Sequence, residues 1–342
     1  VELSTQRRAP VSVQLLTKLG VEHGMSIKDC LRDTGLTLED LRAGGDIDRA
    51  QELAVIANLV SCIDDTVGLG LVAGGRYHLT AYGIYGFALV SSPTMRVATE
   101  IGLRFVALTY SFGRYITHET EEEVVLAYDV SNVPAEVRRF VVERDFAAIN
   151  VIQRESMARD VTCSSVKFAF PAPPSSLVHR YENAFGIPVE FDAEISSIAL
   201  KQAVLDDPLP QAEPYTAEFA ARQCRELIES RVTDLGIAGK VRQLLTARAN
   251  APMTPDQIAS ALNISSRTLR RQLADEGTSY RALLNEVRAS ISEELLVNGN
   301  LTVEQVARRL GYSETSNFSH AFRRWNGVGP RAHRQAADRV SN

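Results

Sequence analysis

One nine-residue pattern occurs twice in the C-terminal third of this chain, at an offset of 48 residues. TPDQIASAL (254–262) and TVEQVARRL (302–310) share T-x-[DE]-Q-[IV]-A-x-x-L. A Thr followed three residues later by Gln is the capping-box arrangement: each side chain satisfies a backbone N–H that the start of a helix leaves without a partner. Pro255 stands at the first helical position, where its missing N–H costs nothing. Ile258, Ala259 and Leu262 fall on one helical face, as do Val306, Ala307 and Leu310.

Each short helix is followed by a turn, Asn263-Ile264-Ser265 in the first copy and Gly311-Tyr312-Ser313 in the second. Asn and Gly tolerate the positive φ such a turn requires. Second helices are predicted over 266–276 and 314–326. Leu269 and Leu273 repeat at i, i+4, as do Phe318 and Phe322, and face back onto the first helix. Ala259 and Ala307 let the paired helices approach closely. Each copy is therefore predicted to be a helix-turn-helix.

The outward faces carry different chemistry. The first second-helix presents Ser266, Arg267, Arg270 and Arg271, and the other presents Thr315, Ser316, Ser319, His320, Arg323 and Arg324. Arg makes bidentate contacts to guanine, and Ser or Thr reaches bases or phosphates. A helix about 10–12 Å in diameter fits a major groove about 12 Å wide. Between the copies, residues 278–298 place Tyr280, Leu283, Leu284, Val287, Ile291, Leu295 and Leu296 mostly at three- and four-residue steps, the pattern of one long amphipathic helix. Such a rod spans about 30 Å, close to the ~34 Å of one DNA turn. Double-stranded DNA, read in two successive major-groove segments, is the expected partner.

Charge divides the chain in the same way. The formal net charge is −5, yet residues 230–342 hold 16 Lys and Arg against 10 Asp and Glu, leaving 21 against 32 in 1–229. A basic segment joined to an acidic one suits a nucleic-acid-binding module attached to something else. Pro208, Pro210 and Pro214 mark an extended linker, followed by a helix over 217–234. The expected organisation is an α+β regulatory domain (1–206), a linker and connecting helix (207–234), and an all-α domain with two helix-turn-helix units joined by a long helix (235–336).

At this point the chain resembles a known family. LTVEQVARRLGYSETSNFSHAFRRWNGVGPRAHR (301–334) is similar to the C-terminal signature of AraC/XylS-type transcription regulators, and the resemblance extends over 237–334. It implies a double helix-turn-helix domain with base readers at Arg267, Arg270 and Arg271, and at Thr315, Ser316, Ser319 and His320. His320 stands where the family usually has Arg, which alters readout by the second unit. Asn326 replaces a common aromatic, and Gly329 the usual Ser or Thr before Pro330. These two bear on packing and helix start more than on chemistry.

In the N-terminal two hundred residues, helices are expected over 15–20, 26–35, 48–60, 93–108 (opening at Ser92 with Pro93 at its first position), 135–159 and 175–185. A hairpin is expected from 108–117 and 122–130, and further strands over 161–170, 189–191 and 198–200. That is an α+β domain with a mostly antiparallel sheet. Here VGLGL (67–71), YGIYGFALVSSPT (82–94), YENAFGIPVEF (181–191) and DPL (207–209) resemble the arabinose-binding-type N-terminal domain of some of these regulators. The resemblance implies a small-molecule effector, without making arabinose that effector; an apolar or fatty-acid-like molecule is one candidate. No His-x-His cluster suggests a cupin-like barrel. Aromatic candidates for an effector pocket are Tyr82, Tyr85, Phe87, Phe105, Tyr110, Phe112, Tyr115, Phe146 and Phe168, and for any single one of them core packing is the competing role.

Other classes find little support. Gly68-Leu-Gly70 and Gly74-Gly75 do not complete G-x-G-x-x-G, and G-x-S-x-G, Walker A and H-E-x-x-H patterns are missing. The four cysteines, Cys30, Cys62, Cys163 and Cys224, are scattered, as expected for a reducing cytoplasm, and suggest neither a metal site nor a disulfide scaffold. No cofactor is expected. The longest uncharged stretch, 77–95, includes His78, Ser91, Ser92 and Pro93 and is too polar for a membrane span; no secretion signal opens the chain. The expected protein is a cytoplasmic, ligand-responsive bacterial transcription regulator and not an enzyme, able to form a homodimer and, if an activator, to engage RNA polymerase. Its rivals are a constitutive DNA-binding protein whose N-terminal domain only dimerises, and an enzyme fused to a DNA-binding tail.

Overall fold

The computed structural model describes residues 7–234, 236–247, 253–298, 301–312 and 314–334. Ser313 of the second predicted turn, and residues 1–6, 235, 335 and 336 at the edges of the predicted domains, lie outside the described residues. The chain forms two compact units that divide between Ile228 and Glu229.

The N-terminal unit runs β1 (Arg7–Arg8), α1 (Val11–Glu22), α2 (Ile27–Cys30), α3 (Leu38–Ala43), β2 (Ile47–Asp48), α4 (Arg49–Cys62), α5 (Leu69–Gly74), α6 (Ile84–Val90), α7 (Met95–Arg104), β3 (Arg114–Glu119), β4 (Glu123–Asp129), α8 (Ala135–Met157), β5 (Ser165–Lys167), α9 (His179–Phe185), β6 (Ser196–Lys201) and α10 (Gln202–Leu205). Its main sheet has the order β3-β4-β6-β5, with every pairing antiparallel. The expected hairpin is present, with Tyr115 opposite Tyr128.

Three local expectations are corrected. The helix expected from Ser92 begins at Met95, because Thr94 rather than Ser92 accepts a backbone N–H at its start. The strand expected over 161–170 shortens to β5, because the chain leaves the sheet to bury Phe168 against Phe170, Tyr181 and Phe191. The strand expected at 189–191 is reduced to a single parallel bridge between Lys167 and Glu190.

Helix α8 is the axis of this unit. Successive helical residues point about 100° apart, so burial of three in a row encloses a helix on several sides. Glu143, Arg144 and Asp145 are all buried. On one side α5 approaches through Gly70 and Gly74. A Cβ at Gly70 would collide with the Phe140 carbonyl oxygen, and one at Gly74 with that of Arg144. The glycines that failed to make a nucleotide-binding motif thus permit backbone-to-backbone packing.

Helix α11 (Pro214–Asp234) buries Ala220 and Cys224 in the core of the N-terminal unit. The C-terminal unit continues with α12 (Ile237–Ala247), α13 (Pro255–Ala261), α14 (Ser266–Asp275), α15 (Tyr280–Asn298), α16 (Val303–Arg309) and α17 (Thr315–Asn326). It has two small apolar cores. Ile258, Ala259, Leu269, Leu273, Leu283 and Val287 belong to one, and Leu296, Val306, Ala307, Leu310, Phe318 and Phe322 to the other. Ile291 of α15 packs against both. Arg242 of α12 holds Glu286 of α15 in a bidentate pair at 2.8 and 3.1 Å.

Candidate nucleic-acid interface and ligand cavity

The first helices of the two pairs are capped alike, and both turns bond back alike. The Thr254 backbone N–H donates to Gln257 Oε1 at 2.8 Å, and that of Gln257 to Thr254 Oγ1 at 3.3 Å. Thr302 and Gln305 exchange the same bonds at 2.7 and 3.2 Å. At the turns, Asn263 and Gly311 both adopt positive φ, 54° and 77°. The next residue in each copy, Ile264 or Tyr312, then donates back to Ala259 or Ala307 at 2.9 or 3.0 Å.

On α14, Arg267, Arg270 and Arg271 are exposed while Leu269 and Leu273 are buried. On α17, Ser316, His320, Arg323 and Arg324 are exposed while Phe318 and Phe322 are buried. Three predicted readers are half-buried: Ser266, Thr315 and Ser319. The Ser266 hydroxyl donates to Asp256, and that of Ser319 donates to the Thr315 carbonyl at 2.9 Å. Both protons are thus committed inside the protein, leaving these hydroxyls as acceptors. Asn317 is exposed beside Ser316 and was missed. It lies three residues before His320, so the helical period already placed it on the polar face.

The N-terminal unit contains a cavity of about 120 Å³. Of the nine aromatic candidates, Tyr82, Tyr85, Tyr110 and Tyr115 line it. The other five lie elsewhere. Phe87 is 51% exposed, on the outer side of α6. Phe105 is buried away from the cavity, beneath the Arg104 guanidinium. Phe112 is enclosed by the guanidinium groups of Arg8, Arg49 and Arg144, each 4.9–5.1 Å from its ring centre. Phe146 and Phe168 pack on each other at 5.7 Å within the core.

Sequence reasoning missed Tyr77, Arg144, Asp145, Gln153 and Ser156 on the cavity wall. The last four lie on α8 with Ala148, Ile149 and Ile152, at spacings that follow the helical period. Behind this wall runs a buried ionic network. Arg144 donates to Asp145 at 2.8 Å, to Glu52 at 3.0 Å and to the Tyr110 carbonyl at 2.7 Å. Glu52 also pairs with Arg8 at 3.0 Å and accepts from Ser12 at 2.6 Å. The Tyr128 hydroxyl donates to Asp145. The Tyr77 hydroxyl is pushed up to about 12, and Arg49, desolvated and repelled by Arg8, falls to about 10. The cavity wall is therefore rigidly organised by charges that compensate one another.

Residues 24–209 match the family described as the arabinose-binding domain of AraC transcription regulators, N-terminal, and residues 258–336 match a helix-turn-helix domain. The chain belongs to the AraC family of transcription regulators. This AraC-family chain is 36% identical over 334 residues to an uncharacterized HTH-type transcriptional regulator of Mycobacterium tuberculosis, covering 94% of this chain and 95% of the relative. It is 30% identical over 278 residues to the ornithine utilization regulator of Pseudomonas aeruginosa, covering 78% of each. Among solved structures it is similar to the transcriptional regulator CdpR of P. aeruginosa, with 25% identity, a TM-score of 0.48 and coverage of 95% and 98% of the two chains. The protein is a DNA-binding transcription regulator of the AraC type. Among the described residues, no helix is long and apolar enough to cross a membrane, and no group of three or more His, Cys, Asp or Glu could hold a metal ion.

Proposed function

We propose that this protein is a sequence-specific regulator whose DNA affinity is set by a small molecule bound in its N-terminal unit. The observation that carries the DNA half is the repeated helix pair, each copy presenting an exposed, Arg-bearing face on its second helix, whose other face packs on the apolar face of its first. In this reading both pairs are helix-turn-helix units and α14 and α17 enter the major groove. Arg267, Arg270, Arg271, Thr315, Ser316, Ser319 and His320 face base edges, with Ser319 acting as an acceptor; Ser266, Arg323 and Arg324 address the backbone. Helix α15, 19 residues long, spans ~28 Å, so one chain reaches two groove segments about one turn apart. Neutralised phosphates release counterions and make binding steeply salt-dependent.

Residues 1–206 act as the regulatory domain, 207–234 as the connection and 235–336 as the reading domain. The cavity supports effector control: it lies within the match to the arabinose-binding family and is walled by tyrosines. A ligand can bias DNA binding only by favouring one of two states. The protein acts in the cytoplasm, with a homodimer and RNA polymerase as further partners in activation. The test is a gel-shift selection of operator sequences with the full chain. The Arg270→Ala/Arg271→Ala variant is expected to lose sequence preference while keeping its fold by circular dichroism. A variant that selects the same operator with the same affinity overturns the assignment.

A further inference from the structure

The polar groups around the cavity are almost all committed. Thr99 and Thr109 donate their hydroxyls to backbone carbonyls at 2.9 and 2.7 Å, and Tyr85 and Tyr110 do so at 3.2 and 2.9 Å. Arg144 and Asp145 hold each other. Among the described residues, two buried atoms on the same wall have no hydrogen-bond partner: Gln153 Oε1 and Ser156 Oγ. Ser156 is 2% exposed. The two residues lie three apart on α8 and so share a helix face. A buried acceptor and a buried hydroxyl left unmade are unusual and call for a partner.

The cavity also limits what that partner is. An engineered apolar cavity of ~150 Å³ holds benzene, so about 120 Å³ suits a single ring or a short chain. The Tyr82 ring centre lies 5.5–6.4 Å from those of Tyr77, Tyr85 and Tyr110, an aromatic wall suited to a ring. Because Arg144 and Asp145 compensate each other, a charged ligand would lose its water without gaining a counter-charge. A hydroxyl, which both donates and accepts, can give its proton to Gln153 Oε1 and take that of Ser156.

We propose that the cavity binds an uncharged, hydroxylated monocycle of the phenol class, its hydroxyl donating to Gln153 Oε1 and accepting from Ser156 Oγ–H, its ring among the tyrosines. This assignment rests on the ligand-controlled reading of the N-terminal unit and names the ligand's chemistry. The test is calorimetric titration of the full chain at pH 7 with phenol, toluene and benzoate, paired with operator gel shifts in each compound. Phenol is expected to bind at least about tenfold tighter than toluene, which fills the same space without the hydroxyl, and than benzoate, which carries a charge. The Gln153→Leu/Ser156→Ala variant is expected to lose that tenfold preference and to bind toluene at least as well as phenol, a reversal that a misfolded protein would not show. Equal binding of phenol and toluene, or tightest binding of benzoate, overturns the hydroxyl assignment; if the bound compound still shifts operator affinity, ligand control survives. Binding of none of the three, with no change in operator affinity, overturns both.

Discussion

The two units use charge in opposite ways. In the C-terminal unit the arginines of α14 and α17 stand in water above small, largely apolar cores. In the N-terminal unit Arg8, Glu52, Glu143, Arg144 and Asp145 lie inside, each engaged by other protein groups. A surface meant for a charged polymer keeps its cations solvated and available, since exposed charges contribute little to folding. A buried charge is tolerated only when it is paired and hydrogen-bonded. Here the paired charges fix the wall of a cavity. The same residue type is left solvated in one unit and built into the interior of the other.

Substituting one arginine from each unit puts this contrast at risk most directly. Arg144→Met leaves Glu52 and Asp145 buried with their shared partner gone and is expected to cost about 3–5 kcal/mol of stability in urea denaturation. Arg270→Ala should change stability by no more than ~0.5 kcal/mol. Equal losses would break the comparison. The close approach of α5 to α8 predicts that Gly74→Ala, which forces a methyl group against a carbonyl oxygen, costs about 1–3 kcal/mol in the same assay. A neutral substitution would show that the helices can separate freely. On the recognition side, Arg271→Ala should weaken specific DNA binding by about 1–3 kcal/mol while leaving the melting temperature unchanged; unaltered operator preference would remove it from the reading face. The smallest expected loss is that of Thr302→Ala, which removes one half of a capping box and should cost ~1 kcal/mol in thermal unfolding, still above the change allowed to Arg270→Ala. No loss would mean that α16 is held by its core alone.

Much of the C-terminal unit was readable because its determinants are local. Thr254 with Gln257, Thr302 with Gln305, and Asn263 or Gly311 at the turns act over a few residues, and the apolar spacing of Leu269, Leu273, Phe318 and Phe322 reports the buried face directly. The polar face was nearly readable too. Asn317 was passed over although the helical period includes it, whereas the inward bonds of Ser266 and Ser319 depend on neighbours that spacing does not reveal. In the N-terminal unit the elements were legible and the site much less so. Tyr82, Tyr85, Tyr110 and Tyr115 reached the cavity, but Phe87 faces water and Phe112 sits among guanidinium groups. Aromatic character alone does not distinguish a core ring from a cavity wall. The buried Glu143-Arg144-Asp145 run reads in sequence like any solvated helix face.

Local chemistry written into the chain determined the duplicated helix pairs, the long helix between them and the polar faces they carry, because caps, turns and helical period act between residues a few positions apart. Tertiary structure alone decided which charges go inside, which tyrosines enclose a space, and that Gln153 and Ser156 stand on its wall with buried polar atoms that have no partner among the described residues. Those outcomes depend on contacts such as Arg144 with Glu52, which lie 92 residues apart, and a buried charge finds its compensation only when the whole unit closes around it.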